Sequence, residues 1–319
     1  MAVYTDVSFE ELKSFLGNYD LGEPRVFKGI AEGVSNSNYF LQTSTGTYIL
    51  TLYEIRVEAD DLPFYLGLME HLARHRIPCP VPVRSRNGSV TGMLNERPAA
   101  ILTFLDGVSL RRPTPDHCHR TGSAMAQFHA AGADFEQHRE NTLGPKGWRK
   151  LADDCAASAD SVVPGLRSLI EEELGVLNSN WPRSLLQGAI HADLFPDNVL
   201  FVNDKISGII DLYFACNDAL AYDLAVALNS WCFESDGAFN VTNARAFIAG
   251  YETQRALLPE ERESLPVLCR GAALRFLLTR LYDWINHNPA ALVRPKDPKE
   301  FLRRLRFHRA VKDAGAYGL

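Results

Sequence analysis

Three oxygen-bearing side chains stand at the ends of apolar runs in the second half of the chain. "GAIHADLFPDNVLF" (188–201) sets Asp193 two residues after His191 and five before Asn198, and "SGIIDL" (207–212) closes a short apolar strand on Asp211. A carboxylate or carboxamide in such surroundings is costly to bury unless something pairs with it. The candidate partners are a metal ion, a substrate proton or the backbone of an ordinary turn. An aspartate, an asparagine five positions on and an aspartate leading out of a strand are the oxygen set of magnesium-dependent phosphoryl transfer. In that chemistry the first carboxylate orients the attacking hydroxyl and takes its proton. The carboxamide and the second carboxylate hold magnesium against the nucleotide phosphates as hard oxygen ligands. Turn capping would account for Asp193 or Asn198 taken singly; the apolar flanks, His191 and Asp211 together weigh for phosphoryl transfer.

Two kinds of element must position these groups. After a helix opened by Ser8 and Glu11 as a capping box, with Phe9, Leu12, Phe15 and Leu16 as its buried face, the chain reads as β-rich. "NYFLQT" and "TYILTLY" flank Ser44-Thr45-Gly46 as a hairpin. Leu62, Tyr65, Leu66, Met69 and Leu72 mark a helix, and "SVTGMLNERPAAILTF" reads as a second hairpin. From about Asp116 onward the pattern is helical, interrupted by "NVLFV" and "SGIIDL", which are joined at Asn203-Asp204. This predicts an α+β chain of two lobes, 1–103 small and β-rich and 104–319 larger and mostly helical. The basic tail "RPKDPKEFLRRLRFHRAV" reads as a solvated helix face.

Bulk properties agree with an enzyme-like globular chain. It has 319 residues, 46% hydrophobic and 23% charged, enough for a sizeable core. A net charge of −6 without a basic stripe argues against nucleic acid as a partner. The six cysteines are scattered, with no CxxC pair, so neither a zinc site nor a disulfide framework is expected, and a reducing cytoplasm suits them. The N-terminus lacks the basic-then-apolar layout of a signal peptide, and no run is long and apolar enough to span a bilayer. A G-x4-G-K-[ST] phosphate loop is absent.

"HADLFPDNVLF" followed by "SGIIDLYFACNDALAYDLA" resembles the aminoglycoside phosphotransferase/choline kinase-like superfamily, whose core pattern is H-x-D-x4-N followed by I-D. Together with "NSNYFLQTSTGTYILTLYE", "LPFYLGLMEHLARHRIPCPVPV", "DALAYDLAVALNSWC" and "RFLLTRLYD", the likeness covers nearly the whole chain. Within the superfamily it is similar to the homoserine kinases that use this kinase-like fold. The resemblance implies a bilobal protein-kinase-like fold, with ATP and Mg2+ as cofactors and L-homoserine as the acceptor. It implies O-phospho-L-homoserine as the product, in threonine biosynthesis. It makes Asp193 the catalytic base and Asn198 and Asp211 the magnesium ligands, with His191 supporting the loop and Asp223 a structural aspartate.

"EGVSNSNYFL" resembles the superfamily's first hairpin turn, where Gly33, Ser35, Asn36, Ser37 and Asn38 would face the phosphates. "ILTFLDG" looks like the link between lobes, whose backbone from Thr103 to Leu105 would meet the adenine edge. For the acceptor the candidates are Tyr213, Asp218, Trp231, Arg275 and Arg280, with Asp218 for the ammonium group and an arginine for the carboxylate. Trp231 also reads as core, and the two arginines as surface charges. One departure stands out. Kinase-like folds carry a phosphate-gripping cation on the strand after the first hairpin and an acidic partner on the next helix. Here the strand position is Thr51 and the helix position Tyr65. Either another cation serves, with Lys28 and Arg56 nearest, or the chain binds nucleotide with little turnover. Other amino-alcohol or sugar kinases of the superfamily are the alternative enzymes.

Overall fold

The computed structural model describes residues 5–30, 36–54, 58–287 and 294–319. The chain divides into two compact units, Met1–Gly107 with Ser207–Tyr213, and Val108–Ile206 with Phe214–Leu319. The sequence suggested a single cut between 103 and 104; the observed division returns seven later residues, Asp211 among them, to the first unit.

The first unit is a five-stranded antiparallel sheet with two helices. Its elements are α1 (Phe9–Leu16), β1 (Pro24–Gly29), β2 (Asn36–Thr43), β3 (Thr47–Tyr53), α2 (Leu62–Arg74), β4 (Gly92–Leu94) and β5 (Arg97–Thr103), in sheet order β1-β2-β3-β5-β4. Both predicted hairpins form, and β1 adds an edge strand that no alternation in "PRVFKG" announced. The capping box of Ser8 and Glu11 starts α1. Leu12, Phe15 and Leu16 of α1 pack on Leu41, Leu50, Leu52 and Ile101 of the sheet. Phe9, expected on the same face, is exposed instead, because it lies on the first turn beyond the edge of that core.

The second unit is mostly helical. It contains α3 (Pro115–Ala131), α4 (Pro145–Cys155), α5 (Ala159–Val162), α6 (Leu166–Asn180), β6 (Gln187–Ile190) and β7 (Val199–Val202). Then come β8 (Lys205–Ile209), which runs on into the first unit, β9 (Cys216–Ala219), α7 (Leu220–Trp231), α8 (Val241–Glu252), α9 (Pro259–Ile285) and α10 (Lys299–Ala310). Asn203 and Asp204, both at positive φ, form the two-residue turn after β7, as type I′ hairpin geometry requires. β6 and β9 pair antiparallel, with Gly188 opposite Asp218 and Ile190 opposite Cys216.

Helix packing explains the placement of the long elements. A Cβ on Gly122 would lie 2.0 Å from Phe247 O, and one on Gly250 would lie 1.9 Å from His119 O, so α3 and α8 touch backbone to backbone. α7 is buried around its whole circumference from Leu220 to Asn229 and apolar but for Tyr222, Asp223 and Asn229, the mark of a central helix. α9 lies against α4, α6, α7 and α10. α10 corrects the reading of the tail as a solvated face: Phe301, Leu302, Arg304, Leu305 and His308 are all buried. Arg304 pairs with Glu300 and Arg309 with Glu172 and Glu173, while the i, i+1, i+4 apolar residues seat the helix. All six cysteines are buried free thiols, and no helix of the described residues is long and apolar enough to cross a membrane.

Candidate active site

β6 ends at Ile190, and the chain then turns through a short loop whose geometry is fixed atom by atom. Ala192 takes a left-handed φ of 60°, a conformation that costs an L-residue about 1–2 kcal/mol. Phe195 N–H donates to Asp193 O at 2.8 Å and Asn198 N–H to Phe195 O at 2.9 Å, with Pro196 opening the single 3-10 turn Pro196–Asn198. The Asn198 Nδ2 donates to Asp193 O at 2.8 Å and to Asp193 Oδ2 at 3.2 Å. Asp193 and Asn198 are thus neighbours by construction. The carboxamide turns its NH2 to the aspartate, which leaves Asn198 Oδ1 without a hydrogen bond among the described residues. His191 Nδ1 accepts from Asp193 N–H at 3.2 Å.

Buried groups from α3, α7 and α9 hold the loop from behind. Asp223 Oδ1 accepts from Ala192 N–H at 2.7 Å, and its Oδ2 accepts from His191 N–H at 2.9 Å and from the His129 ring at 2.9 Å. Burial by itself would push the Asp223 carboxyl up. The His129 hydrogen bond, the positive potential of His129 and His191, and the His191 amide outweigh that and hold it below the ordinary carboxylate value. Arg275 donates to the Ala192 carbonyl. Trp231 Nε1 and Ser230 Oγ donate to Leu194 O at 2.8 and 3.0 Å. His129 and Ser230 were not singled out in the sequence; a histidine and a serine inside apolar helices carry no signal by spacing alone.

These bonds show where the acceptor candidates sit. Trp231 and Arg275 are 2% and 1% exposed; Trp231 spends its one donor on the loop backbone, and Arg275 gives one Nη to it, its buried Nε having no hydrogen bond among the described residues. Arg280 is buried beside Glu300, with its guanidinium over the Phe301 ring. Neither arginine is a surface charge, because α9 is covered by neighbouring helices along the stretch that bears them. Asp218 is partly buried on β9; its Oδ2 accepts from Asn141 Nδ2 at 2.7 Å and its Oδ1 from Ala219 N–H at 2.7 Å. Burial raises its carboxyl above the ordinary value, against the lowering pull of those two bonds and of the Arg275 charge.

The remaining candidates lie in the first unit. Asp211 is exposed at the end of β8, with a left-handed φ of 63°. Tyr213 Oη lies 3.3 Å from Tyr53 Oη. Gly33, Ser35 and Arg56 lie outside the described residues. Asn36, Ser37 and Asn38, expected in a turn, are the first residues of β2, where pairing with Tyr53, Leu52 and Thr51 of β3 extends the strand. Ser37 is fully buried, donating to Glu54 Oε1 at 2.6 Å, and Asn36 Oδ1 accepts from Glu54 N–H. Asn38 Oδ1 accepts from Thr51 Oγ1 at 2.8 Å. Thr103 ends β5 with its hydroxyl accepting from Val81 N–H at 2.9 Å, whereas the Leu105 backbone groups carry no hydrogen bond among the described residues. Lys28 is exposed on β1.

The model of the phosphotransferase enzyme family matches residues 26–257. Over 319 residues the chain is 58% identical to a homoserine kinase of Parvibaculum lavamentivorans and 59% identical to one of Rhodospirillum rubrum, covering 100% of this chain and 99% of each relative. Among solved structures it is similar to a spectinomycin phosphotransferase in complex with ADP and spectinomycin. That likeness has a TM-score of 0.73 at 16% identity and covers 96% of this chain and 99% of that one. It is also similar to choline kinase from Cryptosporidium parvum, with a TM-score of 0.68 at 15% identity, covering 95% and 94%. At such low identity these structures speak for the fold, which is kinase-like and α+β as expected. The chain belongs to the phosphotransferase enzyme family, in the branch whose curated relatives carry the name homoserine kinase.

Proposed function

We propose that the protein phosphorylates the side-chain hydroxyl of L-homoserine with ATP, giving O-phospho-L-homoserine and ADP in the route to threonine. The observation that carries this reading is the full-length identity of 58% to a homoserine kinase in a chain that keeps the Asp193–Asn198 loop. Asp193 is the base: it takes the hydroxyl proton as the acceptor oxygen bonds to the γ-phosphorus and the bond to the ADP oxygen breaks. Its acceptor-facing role suits a carboxylate that Asn198 already orients.

The donor chemistry fits magnesium. Asn198 offers a carboxamide oxygen free of hydrogen bonds among the described residues and Asp211 an exposed carboxylate, both hard oxygen donors. These residues would serve as the ion's ligands, and the chemistry it would supply is neutralisation of phosphate charge. The residues around Asp193 contribute by positioning, since Asp223, Arg275 and Trp231 leave the loop little freedom to rearrange. Asp218 is the choice for the homoserine ammonium, because a cation beside a carboxyl raised by burial gives it the partner that burial denies it. The open backbone groups of Leu105 suit the adenine edge. The β-rich unit, 1–107 with 207–213, takes the nucleotide and the helical unit the acceptor, in the cytoplasm.

A coupled ADP-release assay with homoserine, choline, ethanolamine, serine and threonine as acceptors tests the assignment. Homoserine should exceed every other acceptor in kcat/KM by at least about 100-fold, the discrimination expected of a site that bonds an ammonium and a carboxylate. Turnover of choline or ethanolamine at the homoserine rate, or no turnover with any acceptor, refutes it.

A further inference from the structure

By the resemblance to kinase-like folds, the strand and helix positions of the phosphate-gripping cation and its acidic partner fall at Thr51 and near Tyr65 in this chain. Within the first unit both touch one side chain, that of Tyr213. The Tyr213 ring stands edge-on to Tyr65, with centroids 5.9 Å apart at 89°, and edge-on to Tyr53, with centroids 5.3 Å apart at 78°. Its hydroxyl lies 3.3 Å from Tyr53 Oη and interacts with the Thr51 side chain. Thr51 and Tyr53 are two residues apart on β3 and so share a face; each is 1% exposed. Thr51 is itself anchored on β2 through Asn38 Oδ1 at 2.8 Å.

Tyr213 follows Asp211 by two residues. Asp211 sits at a left-handed φ of 63°, which only surrounding contacts can sustain in an L-residue. Upstream, Ile209 N–H donates to Pro78 O at 2.7 Å; downstream, Leu212 is fully buried. The turn is therefore gripped on both sides, and the downstream grip occupies the positions where an ion pair would otherwise lie. A buried ion pair needs both charges or neither, whereas edge-on aromatic rings and paired hydroxyls fill the same space at little cost in desolvation.

We propose that Tyr213 is a positioning residue for Asp211: Thr51, Tyr53 and Tyr65 clamp its ring and hydroxyl, and the clamp fixes the backbone from which the Asp211 carboxylate projects. The proposal rests on the reading of Asp211 as a magnesium ligand. It assigns Tyr213 to the metal side of the reaction rather than to the acceptor.

The test uses the full chain with Tyr213→Phe, Tyr213→Leu and Asp211→Asn. Amide hydrogen exchange of residues 207–214 is measured without ligands, and the Mg2+ requirement and homoserine KM are measured in turnover. In Tyr213→Phe, loss of the hydroxyl link should speed exchange about fivefold, the worth of one ordinary hydrogen bond, and raise half-saturating Mg2+ by a similar factor. Tyr213→Leu should exceed both changes, and homoserine KM should stay within about twofold. Unchanged exchange in both Tyr213 variants overturns the clamp. Faster exchange with an unaltered Mg2+ requirement overturns the positioning role, as does a rise confined to homoserine KM. If Asp211→Asn itself leaves the Mg2+ requirement untouched, the ligand reading fails, and that failure is distinct from failure of the clamp.

Discussion

Ala192 and Asp223 lie 31 residues apart and meet at 2.7 Å, amide to carboxylate, while Arg275 grips the carbonyl of the same Ala192. The residue just before Asp193 is thus held on both peptide edges, in a backbone conformation it would not choose. Arg275→Lys tests the carbonyl side. Lysine keeps the charge but reaches as a point donor on a flexible stem, so stability should fall by about 1–2 kcal/mol in urea melts. Turnover should fall roughly tenfold through misplacement of Asp193, with homoserine KM changed less than about threefold. A large KM rise at unchanged kcat would return Arg275 to the acceptor carboxylate.

Asp223→Asn tests the amide side. Both carboxylate oxygens accept from buried N–H groups, so an NH2 in either place faces a donor and leaves it unsatisfied. The expected loss is about 3 kcal/mol at neutral pH. The pH dependence has a definite sign. The folded carboxyl is held below its ordinary value, so its contribution is complete above the unfolded pKa and is lost as pH falls through the folded value. The gap in midpoint temperature between wild type and variant should therefore be flat from about pH 8 to pH 5 and close below about pH 4. A gap that widens on acidification contradicts the assignment.

The candidate site was more legible than its scaffolding. Asp193, Asn198 and Asp211 stand out because polar residues interrupt apolar strands, a pattern with a period that can be read. The hairpins announced themselves by turn residues and by alternation. What stayed hidden were side chains that serve the backbone: Trp231 and Arg275 look like ligand contacts in a sequence, because nothing local tells that their partners are carbonyl oxygens 37 and 83 residues away. Ser37 and Asn36 mimic a phosphate turn because strand residues with short polar side chains share its composition. The return of 207–213 to the first unit was equally invisible, since it depends on contacts of Tyr213 and Ile209 that have no sequence period.

Ser37→Ala separates the two readings of the first strand. Its hydroxyl donates to Glu54, which Arg97 also meets at 3.2 Å, and it accepts from Thr5 N–H. Removing it from a fully buried site should cost about 1–2 kcal/mol while leaving the nucleotide KM within about twofold. A fivefold or greater rise in nucleotide KM without loss of stability would instead restore the phosphate role.

Asp193→Asn bears on the base most directly. The variant keeps an oxygen for Asn198 Nδ2, so the loop should hold and stability should change by less than about 0.5 kcal/mol. It cannot take a proton, so kcat should drop between about 100-fold and 10,000-fold, with the dissociation constant of ADP within about threefold by calorimetry. Asn198→Ala should behave differently. If Oδ1 is a ligand, its loss should raise the Mg2+ requirement, and loss of Nδ2 should free the Asp193 carboxylate, so both kcat and half-saturating Mg2+ should worsen together. If Asn198→Ala lowers kcat alone, Asn198 orients the base and does not bind the ion. If Asp193→Asn retains wild-type turnover, the proton goes elsewhere and the loop is a scaffold for a base on another element.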